Sequence, residues 1–226
     1  MKPRKNELLI SVWAGMMFLL LLVLIKTVAV APIGPEGTSI GLSPLNQAAH
    51  LVIGENHFFY QLTQALGLLA IAVAGGFALL GLVQWIRRKS LWKVDREILA
   101  LGVLFAVVVG LYVLFEIVVI NYRPVIMPGE EHVEASFPSS HTMLAAVVFG
   151  AVLPLIKKYV KHSWLRVLLQ ILCVCLLVLT VVGRLLSGVH WLTDILAGVF
   201  LSTALLALYY AFLPRTKGNT GEEAQS

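Results

Sequence analysis

The stretch ILALGVLFAVVVGLYVLFEIVVI, residues 98–120, decides the fold class of this protein. Its only charged side chain is Glu116, and a helix needs roughly 20 mostly apolar residues to cross the hydrocarbon core of a bilayer. The stretch does not alternate apolar and polar residues, as a strand of a membrane β-barrel does. It therefore predicts a transmembrane helix.

Five further runs of the same composition lie on either side of this stretch. They span Leu8–Ala31, Phe58–Ile86, His141–Ile156, Leu165–Gly183 and Trp191–Leu213. Hydrophobic residues make up 59% of the chain and charged residues 13%, against roughly 45–50% and 25% in soluble domains. We expect an all-α fold in which six transmembrane helices form one bundle. This single domain would occupy residues 1–214, and a polar, disordered cytoplasmic tail would follow at residues 215–226.

The first run has an alternative interpretation as a cleaved signal peptide, because Ala29, Val30 and Ala31 have the small-residue pattern of a cleavage site. The apolar core at residues 9–25 is longer than the roughly 7–15 residues of a signal-peptide core. Lys26 also separates that core from the candidate site. We therefore interpret this run as a membrane anchor.

The basic residues are sorted between the two ends of the predicted helices. The net charge is +5, and all Lys and Arg residues except Lys26, Arg123 and Arg184 fall at one end. The positive-inside rule makes that end cytoplasmic, so both termini lie inside and the connections with Arg123 and Arg184 lie outside. The charge is thus explained by a bilayer as partner and not by nucleic acid, and we expect a multi-pass protein of the cell membrane.

The longest outer connection, residues 32–57, contains a mixed stretch at residues 45–52. Such a stretch is a candidate for a helix lying along the membrane interface, where it would cover the outer face. A second outer connection carries Glu130, Glu131 and Glu134. We interpret these acidic residues as a solvated loop, with a divalent-cation site as the alternative.

Polar residues cluster at three places, all at the predicted outer ends of helices. The clusters are residues 122–124, 137–141 and 184–194. Polar and ionisable groups next to the hydrocarbon region cost free energy unless they are paired or face water, so they are candidates for function.

His190 and Asp194 are four residues apart, which places them on one face if the sixth helix has begun. A carboxylate oxygen of Asp194 would then accept the Nδ1 hydrogen of His190 and leave Nε2 free to act as a nucleophile or base. By itself, a His/Asp pair at this spacing is more often structural.

Two arginines and a helix start accompany this pair. The guanidinium groups of Arg123 and Arg184 match phosphate oxygens in a bidentate manner. Pro138 suits the first turn of a helix, so the backbone N–H groups of Ser139 and Ser140 would hold an anion there. Ordinary capping of the helix is the alternative for the two serines.

In these three clusters the sequence resembles the type 2 phosphatidic acid phosphatases, which share their site with vanadium haloperoxidases. The family pattern is KxxxxxxRP, then PSGH, then SRxxxxxHxxxD. The matching residues here are Arg123-Pro124, Pro138-Ser139-x-His141 and Arg184-xxxxx-His190-xxx-Asp194.

The resemblance implies a role for each matching residue. His190 attacks phosphorus, Asp194 orients His190, and His141 protonates the leaving oxygen. Arg123, Arg184 and Ser139 hold the phosphoryl oxygens, and a phosphohistidine intermediate is hydrolysed by water. Members of the family work without a metal or cofactor, so we expect none here.

Three positions depart from the family pattern. Ser140 replaces a glycine, Gly183 replaces a serine, and Glu116 occupies the position of the lysine. A carboxylate repels phosphate at close range, so Glu116 needs an explanation. We interpret it first as an ion-pair partner of Arg123, about two helical turns away. The alternatives are contact with a cationic or hydroxylated part of the substrate, or a weakened or non-catalytic member.

The resemblance implies an integral membrane phosphatase that acts on a lipid phosphate at the extracytoplasmic face. We favour undecaprenyl diphosphate, a carrier used in cell-wall synthesis, and keep phosphatidylglycerophosphate and phosphatidic acid as alternatives. A lipid-binding or transport protein without turnover is a hypothesis from another class. A haloperoxidase is expected in soluble proteins, and six spans argue against it.

Overall fold

The computed structural model describes residues 3–127 and 129–214, and within these ranges the chain is helical and has no β-strand. Seven α-helices follow one another: α1 (Lys5–Thr27), α2 (Ser43–Ile53), α3 (His57–Arg88), α4 (Arg96–Ile117), α5 (Ser140–Tyr159), α6 (Ser163–Leu186) and α7 (Leu192–Phe212). Two single-turn 3-10 helices lie at Pro35–Gly37 and Leu91–Lys93. The predicted tail falls outside the described residues.

Six of these helices, all except α2, are long and apolar enough to cross a membrane. This confirms the predicted all-α bundle and the number of spans. The first helix ends at Thr27 and not at Ala31, because the chain turns there and Ala31 pairs with Ile40 in an antiparallel bridge. The mixed stretch at residues 45–52 lies within α2, and its position along the membrane interface stays a prediction.

Helix α5 is the centre of the bundle and packs against α3, α6 and α7. Most of its residues are buried, whereas the face of α6 is largely exposed. Small residues let its neighbours approach closely: an ideal Cβ on Gly150 would lie 2.7 Å from Leu206. Because α5 is enclosed on several sides, the polar residues at its first turn lie in the interior of the protein.

One end of the bundle is held together by Asp95, which lies just before α4. Its carboxylate accepts hydrogen bonds from Arg88 Nη1 at 2.8 Å and Gln84 Nε2 at 3.2 Å, and from the Tyr159 hydroxyl. Lys158 Nζ lies 3.4 Å away. Burial by itself would raise the pKa of Asp95, but these hydrogen bonds and charges hold it well below its usual value of 3.8. The predicted cytoplasmic basic residues gather at this end.

The opposite end contains residues 118–127 and 129–139, the connection between α6 and α7, and α2. The buried side chain of Asn46 on α2 donates a hydrogen bond to Thr193 Oγ1 at 3.0 Å and accepts one from the Thr193 N–H at 3.2 Å. Gly188 has φ +72°, and an ideal Cβ there would lie 2.2 Å from the carbonyl oxygen of Gly54. Helix α2 is therefore docked directly on the loop that precedes α7.

Candidate active site

The residues singled out in the sequence meet at this second end of the bundle. Arg123 follows α4, Arg184 lies in the last turn of α6, and His190 lies between α6 and α7. Glu116, Arg123, Ser140 and His190 line one small cavity of about 20 Å³, roughly the space of one water molecule. The structure thus brings together three segments that are far apart in the chain.

His190 is the most deeply placed titratable side chain of the cavity, with 4% of its surface exposed. Its Nδ1 lies 3.1 Å from the carbonyl oxygen of Ser136. Because a carbonyl oxygen only accepts, Nδ1 carries the hydrogen and Nε2 carries the lone pair. Burial, reinforced by the charges of Arg184 and Arg123, holds the pKa of His190 well below its usual value of 6.5. The imidazole is therefore neutral at pH 7, as a nucleophile must be.

Asp194 does not make the hydrogen bond that the sequence predicted. Its Oδ2 lies 3.8 Å from Nδ1 of His190, a distance suited to an ion pair with a protonated ring but too long for a hydrogen bond. The carboxylate instead accepts hydrogen bonds from the Trp191 N–H at 3.0 Å and from Asn121 Nδ2 at 3.3 Å. The prediction was wrong because the oxygens cap the start of α7.

Arg184 is buried to 99%, with 1% of its surface exposed. Its Nη1 donates a hydrogen bond to Thr63 Oγ1 at 3.3 Å, and its guanidinium lies 5.4 Å from the centre of the Tyr60 ring. In the described ranges no carboxylate lies within 4 Å of it. A buried cation without an anionic partner is costly, so this arginine is well suited to bind an anionic ligand.

Arg123 pairs with Glu134 and not with Glu116. Its Nε lies 3.1 Å from Glu134 Oε2, and its backbone N–H donates to the carbonyl oxygen of Glu134 at 3.0 Å. The predicted pair with Glu116 assumed that the helix continues through Arg123. Helix α4 ends at Ile117, so the two residues do not share a helical face.

The start of α5 differs in part from the predicted anion cradle. Ser139 is the N-cap residue and Ser140 is the first helical residue, so Pro138 precedes the helix. The Ser139 N–H donates to the carbonyl oxygen of Asp194 at 3.0 Å and is not available for an anion. The Ser139 hydroxyl, fully buried, has no hydrogen-bond partner in the described structure.

His141 lines a larger groove, which adjoins the small cavity at Tyr112, Ser140 and Met143. Its ring lies against Gly67 of α3, where an ideal Cβ would come within 2.9 Å of Cδ2 and 3.1 Å of Nε2. The groove has a volume of about 510 Å³ and runs between α3 and α4, lined mostly by apolar side chains such as Leu68 and Val108.

Several buried polar atoms at this end lack a hydrogen-bond partner, and such atoms are few in native proteins unless a ligand or water binds them. Apart from Arg123 Nε, which is paired with Glu134, these atoms in the described ranges are Ser136 Oγ, Ser139 Oγ, His141 Nδ1, Thr142 Oγ1, Arg184 Nε and His190 Nε2. Every residue in this set belongs to the predicted motifs or directly adjoins them. The set fits an anion with several oxygen atoms.

Sequence reasoning missed four residues that position the site: Thr63, Gly67, Asn121 and Ser136. Thr63 had a weak signal, because it is a polar residue within an apolar run. Ser136 acts through its backbone carbonyl, which no side-chain pattern reveals.

The chain is similar to known proteins over the part that contains this site. The family described as the PAP2 superfamily matches residues 118–217. Phosphatidylglycerophosphatase B of Bacillus subtilis (strain 168) is 28% identical over 186 residues, which cover 80% of this chain and 73% of that protein. The family match begins directly after α4 and includes both arginines and both histidines of the site.

The fold also matches a solved structure. The crystal structure of a transmembrane PAP2 type phosphatidylglycerolphosphate phosphatase from Bacillus subtilis superposes with a TM-score of 0.66. The match has 21% identity and covers 90% of this chain and 95% of that one. At this identity the likeness supports the fold alone. The chain thus contains a PAP2 superfamily domain at residues 118–217 and six helices long and apolar enough to cross a membrane, as a multi-pass membrane phosphatase of that kind would.

Proposed function

We propose that this chain hydrolyses a phosphomonoester or diphosphate of a membrane lipid through a phosphohistidine formed on His190, without a metal. One observation carries the proposal. The buried cation of Arg184 has no carboxylate partner in the described ranges, and it lies at the same end of the bundle as His190, whose Nε2 has no hydrogen-bond partner there. A phosphoryl group supplies the anion for the arginine and the electrophile for the histidine.

In the first step, Nε2 of His190 attacks phosphorus and the bond between phosphorus and the leaving oxygen breaks. The electron pair stays on that oxygen, which takes a proton from His141. In the second step, His141 takes a proton from water, the water oxygen attacks phosphorus, and the bond between phosphorus and Nε2 breaks. The products are the dephosphorylated lipid and inorganic phosphate.

The surroundings of Nδ1 favour the first step. Positive charge develops on the imidazole as Nε2 bonds to phosphorus, and it increases the strength of the hydrogen bond from Nδ1 to the Ser136 carbonyl oxygen at 3.1 Å. Asp194 Oδ2, at 3.8 Å from Nδ1, attracts the same charge. Asp194 therefore contributes by charge and by holding the loop, and not by a direct hydrogen bond.

The groove between α3 and α4 supports a lipid as substrate. Tyr112, Ser140 and Met143 line both this groove and the small cavity with His190. A phosphate near His190 would thus be continuous with apolar chains lying in the groove. The basic residues at the opposite end support an extracytoplasmic site.

The identity of the lipid is a finer part of the proposal. The name of the Bacillus relative supports phosphatidylglycerophosphate, whereas undecaprenyl diphosphate remains the prediction made from the sequence resemblance. The groove accommodates apolar chains of either kind.

The test is phosphate release by the purified protein in detergent, in EDTA, from phosphatidylglycerophosphate, undecaprenyl diphosphate and phosphatidic acid. We expect the native protein to release phosphate and His190→Ala to release none. Thermal melting should show that the variant is as fully folded as the native protein. Equal release by His190→Ala would refute the nucleophile, and loss in EDTA that added metal restores would refute metal independence. Lipid binding without release by the native chain would instead indicate a binding protein.

A further inference from the structure

Glu116 lies beside the reacting groups although it is an acidic residue. It lies one residue before the end of α4 and lines the same small cavity as Arg123 and His190. A carboxylate has only acceptor oxygens, so it repels a phosphate oxygen at close range unless a hydrogen-bond donor lies between them.

No cation of the described ranges neutralises Glu116. No Lys, Arg or His nitrogen there lies within 4 Å of its carboxylate. The nearest candidate along the chain, Arg123, is held by Glu134 at 3.1 Å. The side chain is exposed, and the neighbouring Tyr112 offers its carboxylate a neutral hydroxyl and not a cation. A structural ion pair therefore does not account for it.

Glu116 lies one helical turn from a residue that joins the small cavity to the groove. Tyr112, one helical turn before Glu116, lines both the cavity and the groove between α3 and α4. In a lipid with its phosphate at His190 and its chains in the groove, the alcohol portion would lie beside Tyr112 and Glu116. That portion differs between lipids: it carries a hydroxyl beside the ester carbon in some and no donor in others.

We propose that Glu116 determines specificity by accepting a hydrogen bond from a donor on the alcohol side of the scissile bond, at the carbon next to the ester carbon. The inference rests on the proposed phosphatase activity. A neutral hydroxyl fits better than an ammonium group, because Arg123 lines the same cavity and would repel a second cation. The donor lies between the carboxylate and the phosphate and so removes their repulsion.

The experiment compares kcat/KM for three lipids in the native protein and in Glu116→Ala and Glu116→Gln. Phosphatidylglycerophosphate offers a hydroxyl at the relevant carbon, sphingosine 1-phosphate offers an ammonium, and phosphatidic acid offers neither. The matched control is Glu131→Ala, which removes one exposed carboxylate from the same end of the protein. Thermal melting checks that every variant is folded.

We expect Glu116→Ala to lower the ratio of kcat/KM for phosphatidylglycerophosphate over phosphatidic acid on the order of tenfold, the usual effect of losing a hydrogen bond to a charged group. Glu116→Gln, which keeps an acceptor oxygen, should lose less, and Glu131→Ala should leave the ratio unchanged. An equal change for all lipids would overturn the inference, since it would mean simple repulsion of phosphate. A drop confined to sphingosine 1-phosphate would overturn the hydroxyl assignment. The phosphatase proposal fails separately, if His190→Ala retains activity.

Discussion

Replacing Gly67 with alanine should reduce turnover without destabilising the protein. The added Cβ would lie 2.9 Å from Cδ2 and 3.1 Å from Nε2 of His141, closer than ordinary contacts between side chains. The ring must therefore move by roughly 0.5 Å to restore contact distances near 3.5 Å. A misplacement of about 1 Å in a catalytic group can lower the rate on the order of 100-fold. We therefore expect a loss of about tenfold, or about 1.4 kcal/mol in the activation barrier.

The same helix offers a matched control. Gly76 also lies in α3, and an ideal Cβ there meets nothing within 4 Å. In a helix alanine is more stable than glycine by about 0.5–1 kcal/mol. Neither substitution should therefore lower the melting temperature. The assay is phosphate release from phosphatidylglycerophosphate, with melting followed in parallel. Equal activity of Gly67→Ala and Gly76→Ala would refute the reasoning, because it would show that the position of the His141 ring does not limit the reaction.

Three other perturbations test separate parts of the structure. Glu134→Gln should free Arg123 for the substrate and lower KM by about threefold, as expected for a half-exposed ion pair; a higher KM would show that Glu134 holds Arg123 in place. Because burial lowers the pKa of His190, the acidic limb of kcat/KM against pH that reports this group should lie below pH 6.5. A limb above that value that persists in variants of His141 would contradict a neutral nucleophile. Protonating buried His190 also disfavours the folded state, so its contribution to stability falls as pH drops below about 6.5. Asp95→Asn should lower the free energy of unfolding by about 1–3 kcal/mol without changing kcat, measured by melting and phosphate release. Because the pKa of Asp95 is held below 3.8, the native protein should keep this contribution above that pH and lose it as pH falls further. A stability of Asp95→Asn equal to that of the native protein would show that the contacts of Asp95 do not hold this end together.

The six spans and the members of the site could be predicted because each depends on residue types and spacings that the sequence shows directly. Apolar runs of sufficient length define the helices, and Arg184, His190 and Asp194 lie at spacings that place them together. The partners of these groups could not be predicted in the same way. The Nδ1 hydrogen of His190 is bound by a backbone carbonyl, and the choice of Glu134 over Glu116 depends on where α4 ends.

The contact between Gly67 and His141 was equally beyond sequence reasoning. It depends on how closely α3 approaches α5, and a glycine within an apolar helix has several possible explanations. The capping of α7 by Asp194 shows a related difficulty, since one carboxylate can either serve the helix start or bind the neighbouring imidazole. The spacing of four residues permits both arrangements and does not choose between them.

The pairing of α1 with α7 has a consequence for biosynthesis. These two helices form the most extensive pair in the bundle, and Ser11 Oγ donates to the Ala204 carbonyl oxygen at 2.8 Å across 193 positions of sequence. A ribosome releases the first span long before the last, so α1 must wait in the bilayer while the other five are inserted. The loop with His190 rests on α2, which docks against the start of α7. A growing chain therefore has no assembled cavity around His190 until its final span has entered the membrane.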